Sequence, residues 1–128
     1  MPDQAGSDRS PVYCVKLNLT GSSSTTGTFA SIANPHGASL IIFDRVLNVT
    51  TQSTGACTLD IGVGTTSSTS SDTLIDGISV ASAGVLSTAG TNGGTYRTWS
   101  ATQCVTVTEA SGDAAGLVGT LYVYYTFA

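Results

Sequence analysis

The stretch from Ala38 to Thr51 (ASLIIFDRVLNVTT) constrains the fold most strongly, because it is the densest apolar run in the chain. Its β-branched and aromatic residues favour a strand, and the adjacent charges of Asp44 and Arg45 make it too short and too polar to span a membrane. Counted by twos, one face carries Ile41, Phe43, Leu47 and Val49, and the other carries Leu40, Ile42 and Val46. A strand with two apolar faces is typical of one covered by a second sheet or by another subunit. We therefore predict a central strand here.

The two ends of the remaining chain alternate between apolar and polar residues. From Val12 to Leu19 the odd positions are apolar, which predicts a first strand with Tyr13 and its odd neighbours facing inward. The last strand is predicted from Leu117 to Phe127, again with its odd positions inward. This arrangement leaves Tyr122 and Tyr124 side by side on the outer face, where they form a candidate contact stripe.

Shorter strands are predicted between these landmarks at residues 57–63, 96–99 and 103–108, with Gly, Ser, Thr and Asn in the connections. Residues 28–33 fit either a short edge strand or a turn, and Val80, Val85 and Leu86 belong to a weakly patterned edge segment. The strand at 57–63 is expected to form a hairpin with the central strand. Ser71 and Gly77 fit the start and end of one short helical turn near residues 71–77.

Seven or eight short strands separated by turns predict an all-β chain that folds as a single antiparallel β-sandwich, with a jelly-roll or Ig-like topology. The chain has 128 residues, the size of one domain. We expect residues 1–11 to be a flexible N-terminal arm and residues 12–128 to be the β-sandwich domain.

The charge pattern argues against two classes of partner. Only 9% of residues are charged, the formal net charge is −4, and the four basic residues are scattered along the chain. A nucleic-acid surface needs clustered cations, and a membrane surface needs a basic amphipathic helix. We therefore expect neither nucleic acid nor a membrane as a partner.

The three cysteines, Cys14, Cys57 and Cys104, are too far apart for a zinc ribbon or a redox pair. We expect them to be buried thiols in a reducing cytoplasm. Residues 1–9 are polar and lack the apolar centre of a secretory signal.

Catalytic patterns are missing from the sequence. The single histidine, His36, follows Pro35 in a predicted turn, and no Gly-x-Ser-x-Gly elbow is present to hold a nucleophile beside it. Asp72 and Asp76 have a spacing that would let them share a cation, but a polar turn ending in Asp-Gly explains them more simply. We therefore predict no enzyme activity, no cofactor, and no catalytic or metal-binding residues.

Several segments resemble a small β-sandwich family encoded near the head genes of tailed bacteriophages. The likeness is carried by ANPHGASLII (33–42), DIGVG (60–64), SDTLIDG (71–77), GTNGG (90–94) and AAGLVGTLYV (114–123). The resemblance implies a capsid decoration or cement protein, which binds the outer surface of the phage head and stabilises contacts between major capsid subunits without an active site.

The same resemblance implies a symmetric homo-oligomer, since closed symmetry is the usual form of self-association. Among such oligomers we expect a trimer rather than a dimer. It also implies synthesis in the host cytoplasm and a final location on the outside of the virion. We expect the capsid and subunit contacts to come from the arm and the tyrosines, namely Pro2, Arg9, Pro11, Tyr13, Tyr122 and Tyr124.

Two other functions stay open. One is a carbohydrate-binding or receptor-binding module of a tail fibre or secreted enzyme, which would present Trp99, Tyr96 and a loop aromatic as platforms. The other is a small hydrolase, which is disfavoured because one histidine, His36, is too little for an acid, base and nucleophile set.

Overall fold

A computed structural model of the chain describes residues 11–21, 28–87 and 96–128. Most of the predicted arm, including Pro2 and Arg9, lies outside the described residues, and so does the motif at 90–94. The described residues form nine strands and no helix, which confirms the predicted fold class. The strands are β1 (Tyr13–Thr20), β2 (Thr28–Ala33), β3 (Leu40–Thr51), β4 (Cys57–Gly64), β5 (Ile75–Ser79), β6 (Gly84–Ser87), β7 (Arg97–Trp99), β8 (Cys104–Gly112) and β9 (Val118–Phe127).

The strands form two antiparallel sheets. The first sheet has the order β1-β9-β3-β6, with β7 also pairing with β3, and the second has the order β2-β8-β4-β5. β1 and β2 lie in different sheets, whereas the first two strands of an Ig domain share one sheet. The order is therefore that of a jelly roll, with β7 as an addition to the first sheet.

β3 is the central strand of the first sheet, as predicted, since β9 pairs along one edge and β6 and β7 pair along the other. A bulge between Ile42 and Asp44 shifts its register against β9. The buried positions consequently change from even to odd, and they are Leu40 and Ile42 before the bulge and Arg45, Leu47 and Val49 after it. The predicted division of this strand into two faces is wrong, because an inserted residue breaks the period of two.

The predicted helical turn near residues 71–77 is wrong as well. The backbone N–H of Leu74 donates to the carbonyl of Ile61 over 2.9 Å, and Ile75 pairs with Ile61 in the ladder. These bonds draw the segment out along β4, so that residues 75–79 form β5. Backbone groups that a helical turn would have paired internally are hydrogen-bonded to the partner strand β4 instead.

The predicted hairpin between β3 and the strand at 57–63 is also absent. β4 pairs with β8 and β5 in the second sheet, so the connection after β3 crosses from one sheet to the other. Within this connection, the N–H of Ser53 donates to Val80 and the N–H of Thr54 donates to Ala115, with distances of 3.0 and 2.8 Å.

The core lies between the two sheets. The predicted inward orientation of odd positions is confirmed in β9, where Leu121 and Val123 are fully buried and Tyr125 is 3% exposed. In β1 the odd positions are buried or half-buried and the even positions are exposed. The second sheet contributes Leu59, Ile61, Val105 and Val107, which are all fully buried.

The outer face of the second sheet is partly covered by the loop between β4 and β5. A Cβ at Gly62 would lie 2.3 Å from the Ser71 hydroxyl oxygen and 2.6 Å from the Thr73 nitrogen, so the loop packs directly on this glycine. The hydroxyl of Thr106, a fully buried residue, donates to the Thr69 carbonyl over 2.9 Å.

Candidate functional site

Tyr122 and Tyr124 lie on the outer face of the first sheet. Leu121 and Val123 beside them are fully buried, and alternation along β9 therefore turns the two tyrosines outward. Both are half-buried by their neighbours. Their predicted outward orientation is confirmed, while their role in contacts stays a prediction.

The ladder places specific residues beside each tyrosine. Lys16 and Val46 lie opposite Tyr122, and Cys14 and Asp44 lie opposite Tyr124. Residues directly opposite each other share a face of the sheet. We call the six residues the tyrosine face: Cys14, Lys16, Asp44, Val46, Tyr122 and Tyr124.

The tyrosine face combines aromatic surface with little net charge. The Lys16 ammonium nitrogen lies 6.0 Å from the centroid of the Tyr122 ring, at the limit of a cation–π contact. Desolvation raises the pKa of Tyr124, and the neighbouring Cys14 and Asp44 act in the same direction. A hydrogen bond between the Tyr124 phenol and the Cys14 side chain raises this pKa further, so the phenol stays protonated at neutral pH. Tyrosines with an apolar ring and a polar tip are enriched at protein interfaces.

Tyr13 lies apart from the tyrosine face, in an aromatic cluster at one end of the sandwich. Its ring stacks on Tyr125 with centroids 5.4 Å apart and meets Phe127 edge-on at 5.6 Å. Odd positions of β1 and β9 turn toward the core, so the register that brings Tyr122 and Tyr124 together separates them from Tyr13.

Pro11 is the member of the predicted arm that the structure describes. Its carbonyl accepts a hydrogen bond of 2.8 Å from the hydroxyl of Thr126. Thr126 is two residues beyond Tyr124 in β9 and has the same outward orientation. The arm therefore joins the domain at one end of the tyrosine face.

His36 is exposed in the turn between β2 and β3, as predicted. Its Nε2 lies 2.8 Å from the Tyr125 hydroxyl, and its ring packs on Phe127 at a centroid distance of 4.8 Å. Within the described ranges, no salt bridge joins His36 to a carboxylate. His36 therefore belongs to the aromatic cluster, where nothing orients it as a general base.

The three cysteines differ in their surroundings, and all are free thiols. Cys57 is buried, as expected, but Cys14 is exposed because it occupies an even, outward position of β1. Burial raises the pKa of Cys57, and the charges of Glu109 and Asp113 raise it further. The Cys57 thiol is therefore protonated at neutral pH, the form that is poor as a nucleophile.

The described part of the chain holds no group of three or more His, Cys, Asp or Glu side chains placed to bind a metal ion. It also contains no helix of the length and apolar character needed to cross a membrane. Asp72 and Asp76 are exposed and lie near Asp60 of β4, whose carboxylate accepts a hydrogen bond of 3.0 Å from the Gly77 backbone.

The pKa of Asp60 is raised by burial and by the charges of Asp76 and Asp72, against the opposing hydrogen bond from Gly77. An acid with a raised pKa in the folded state weakens folding once pH exceeds that pKa. We expect Asp60→Asn to increase the unfolding free energy at pH 7 by less than about 1 kcal/mol. The gain should shrink as pH falls and vanish below about pH 4, where the unfolded-state carboxyl is protonated too.

Thermal unfolding of both proteins between pH 3 and pH 8 measures this gain, since that range includes ordinary carboxyl titration. Asp72→Asn is the matched control, since it removes the same charge but only the weakest of the causes acting on Asp60. A gain from Asp60→Asn that grew as pH fell would contradict the predicted sign.

A pocket of about 370 Å³ opens beside β7, with lining residues from both sheets. Seven of the described residues line it: Val63, Thr73, Tyr96, Arg97, Thr98, Ser100 and Gln103. Tyr96 is 69% exposed, whereas Trp99, the other proposed platform, is fully buried. The expected pair of aromatic platforms is therefore wrong for Trp99, because its position in β7 turns it into the core.

No protein-family model, curated protein or solved structure matches this chain. The candidate sites consequently depend on the geometry described above. Sequence reasoning found Tyr122 and Tyr124 from local alternation, but it missed their neighbours on β1 and β3, which only the strand register identifies. It also missed Arg97 as a pocket residue, since no short motif marks that position.

Proposed function

We propose that this chain is a structural virion protein, a decoration or cement protein that binds the outer surface of a bacteriophage head. Its partner would be the major capsid protein, whose subunit contacts it would stabilise, and it would act there as a homo-oligomer, with a trimer favoured over a dimer. The observation that carries this proposal is the tyrosine face, an outward sheet surface with two half-buried tyrosines and no net formal charge, since Lys16 and Asp44 offset each other.

The tyrosine face supports the proposal because binding through it would cost little conformational entropy. Its residues stand on β1, β3 and β9, which are 8, 12 and 10 residues long and pair along most of their lengths. A surface already held by a sheet loses little conformational entropy on binding, and affinity depends strongly on that cost. A protein that acts through contact area benefits from such a preorganised face.

The resemblance adds a second line of support. The segment 33–42 spans the end of β2, a turn and the start of β3, and the segment 114–123 includes Tyr122 of the tyrosine face. Pro11, one of the proposed contact residues, lies at the end of this face, where its carbonyl accepts a hydrogen bond from Thr126, and the proposed contacts of Pro2 and Arg9 lie outside the described residues.

The binding test uses shells that lack this protein and the double variant Tyr122→Ser/Tyr124→Ser. We expect its affinity for shells to fall at least about tenfold, because central aromatic residues carry much of the energy of an interface. Tyr96→Ser is the matched control, since Tyr96 is an exposed tyrosine outside the tyrosine face. Unchanged occupancy by a folded double variant would remove the tyrosine face from the proposal.

Copy number tests the location independently. Quantitative mass spectrometry of purified virions should give a ratio of this chain to the major capsid protein near one or a simple fraction. Absence from the particles would contradict the virion assignment.

A carbohydrate-binding or receptor-binding module of a tail fibre or secreted enzyme is the second candidate function. The pocket beside the exposed Tyr96 favours it, although Trp99 is buried and contributes no platform. A few copies per virion, together with binding in a glycan screen, would support this function over capsid decoration.

A further inference from the structure

We infer that the pocket beside β7 binds a sugar that carries a carboxylate, such as a uronic acid unit of a glycan. We call it the Arg97 pocket, with the seven lining residues given above. This inference goes beyond capsid decoration, since none of the lining residues belongs to the tyrosine face.

One wall of the Arg97 pocket is held by hydrogen bonds around the turn between β7 and β8. The N–H of Ser100 donates to Oε1 of Gln103 over 2.8 Å, and the N–H of Gln103 donates to the carbonyl of Ser100 over 2.9 Å. The indole N–H of Trp99 donates to the Gln103 carbonyl, and Nδ2 of Asn34 donates to the carbonyls of Trp99 and Ser100. Ser100 and Gln103 therefore occupy set positions before a ligand arrives.

The opposite wall is held in a similar way by the second sheet. The Thr73 hydroxyl accepts a hydrogen bond of 2.9 Å from the Val63 backbone N–H and lies 3.1 Å from the Ser71 hydroxyl. Val63 is a core residue with 8% exposure, so its side chain contributes a small apolar area to the pocket. Both walls thus belong to hydrogen-bonded parts of the sandwich.

The side chain of Arg97 indicates that the ligand carries a negative charge. Arg97 is exposed, and no hydrogen bond or ion pair joins its side chain to another described residue. Of the three cations in the described ranges, Arg45 is buried and Lys16 lies on the tyrosine face, which leaves Arg97 as the cation of this pocket. A guanidinium presents two parallel N–H donors that match the two oxygens of a carboxylate.

The other lining groups set the class of molecule that bears the carboxylate. Thr73, Thr98, Ser100 and Gln103 supply hydroxyl and amide groups, which suit a ligand with several hydroxyls. The exposed ring of Tyr96 offers an apolar face beside them. A fatty acid would need more apolar lining than Val63 and Tyr96 provide, and a polyphosphate would need more than one cation.

The volume of the Arg97 pocket agrees with a sugar ligand. About 370 Å³ is near the lower end of the range for small-molecule sites. It accommodates one sugar ring or a short oligosaccharide end, with the carboxylate on Arg97 and the ring near Tyr96.

The test compares methyl β-glucuronide with methyl β-glucoside, which differ only in a carboxylate against a hydroxymethyl group. Methyl α-galacturonide and a methyl sialoside complete the panel, and binding is followed by titration with ¹⁵N NMR on the full chain. We expect at least one acidic sugar to bind saturably with Kd below about 10 mM and at least about fivefold more tightly than its neutral counterpart. Shifts should concentrate on residues 96–103.

Arg97→Gln should weaken this binding at least about tenfold. Lys16→Gln is the matched control, because it removes the other exposed cation of the described ranges, on the tyrosine face, and should leave sugar binding unchanged. Equal binding of acidic and neutral sugars, no saturable binding by any acidic sugar, or full binding by Arg97→Gln would each overturn the inference. Shell occupancy of Arg97→Gln should stay at the level of the unmodified protein, so failure here is distinguishable from failure of the decoration proposal.

Discussion

Replacing Trp99 with alanine should lower the unfolding free energy by about 3 to 5 kcal/mol. The indole is fully buried, and its ring meets Tyr125 edge-on with centroids 5.8 Å apart. Its N–H donates to the Gln103 carbonyl over 3.0 Å. The substitution therefore opens a large cavity at the β7 end of the core and also removes a buried hydrogen bond.

Urea denaturation followed by circular dichroism measures this loss, because Trp99 is the only tryptophan and its fluorescence disappears with it. Tyr96→Ala is the matched control: Tyr96 is three residues away and 69% exposed, so its removal should change stability by no more than about 0.5 kcal/mol. Similar losses for the two variants would contradict the burial difference. Trp99→Phe should give an intermediate loss, since it keeps most of the ring volume and loses the N–H donor.

The second large effect is expected at Arg45, where alanine should cost about 3 to 5 kcal/mol. Arg45 is fully buried, and its guanidinium Nη2 donates to the Leu74 carbonyl over 3.0 Å. This bond crosses the core from β3 of the first sheet to the segment that enters β5 of the second. Desolvation lowers the pKa of Arg45, and the charge of Asp44 acts against that shift. The guanidinium nonetheless remains charged at neutral pH.

Arg45→Met separates the contribution of side-chain packing from that of the charge and its hydrogen bond. Methionine refills much of the volume without a charge or a donor, so its loss should be less than half of the loss caused by alanine. Both variants are compared by urea denaturation at pH 7. A loss below about 1 kcal/mol for Arg45→Ala, well under the range for buried large side chains, would mean that neither the packing nor the bond to Leu74 matters to folding.

The burial of Arg45 and Trp99 illustrates why sequence patterns predict only part of this fold. Arg45 follows Asp44 in a strand, and two adjacent charged residues in a sequence indicate a polar, exposed interruption of an apolar strand. Only the bulge between Ile42 and Asp44 explains why Arg45 enters the core. Trp99 lies on a three-residue strand, too short for its alternation to be read from the sequence.

The candidate site could likewise be predicted only in part from the sequence. Tyr122 and Tyr124 were predicted together because both belong to one strand with regular alternation. Tyr13, which alternation predicts to face inward, packs with Tyr125 and Phe127 in the aromatic cluster, and its role in contacts stays a prediction. The partners of the tyrosines, and the seven residues of the Arg97 pocket, come from separate segments of the chain.

Alternation within β1 and β9 was enough to identify their inward faces, and the density of short strands was enough for the β-sandwich class, since both are properties of the local backbone. Strand order, the crossing from β3 to β4 and the extension of residues 75–79 along β4 depended on backbone hydrogen bonds between distant segments. A segment of five to ten residues carries its own side-chain period, but its backbone donors and acceptors pair equally well with many partners. Which partner it takes is settled by the packing of the whole core.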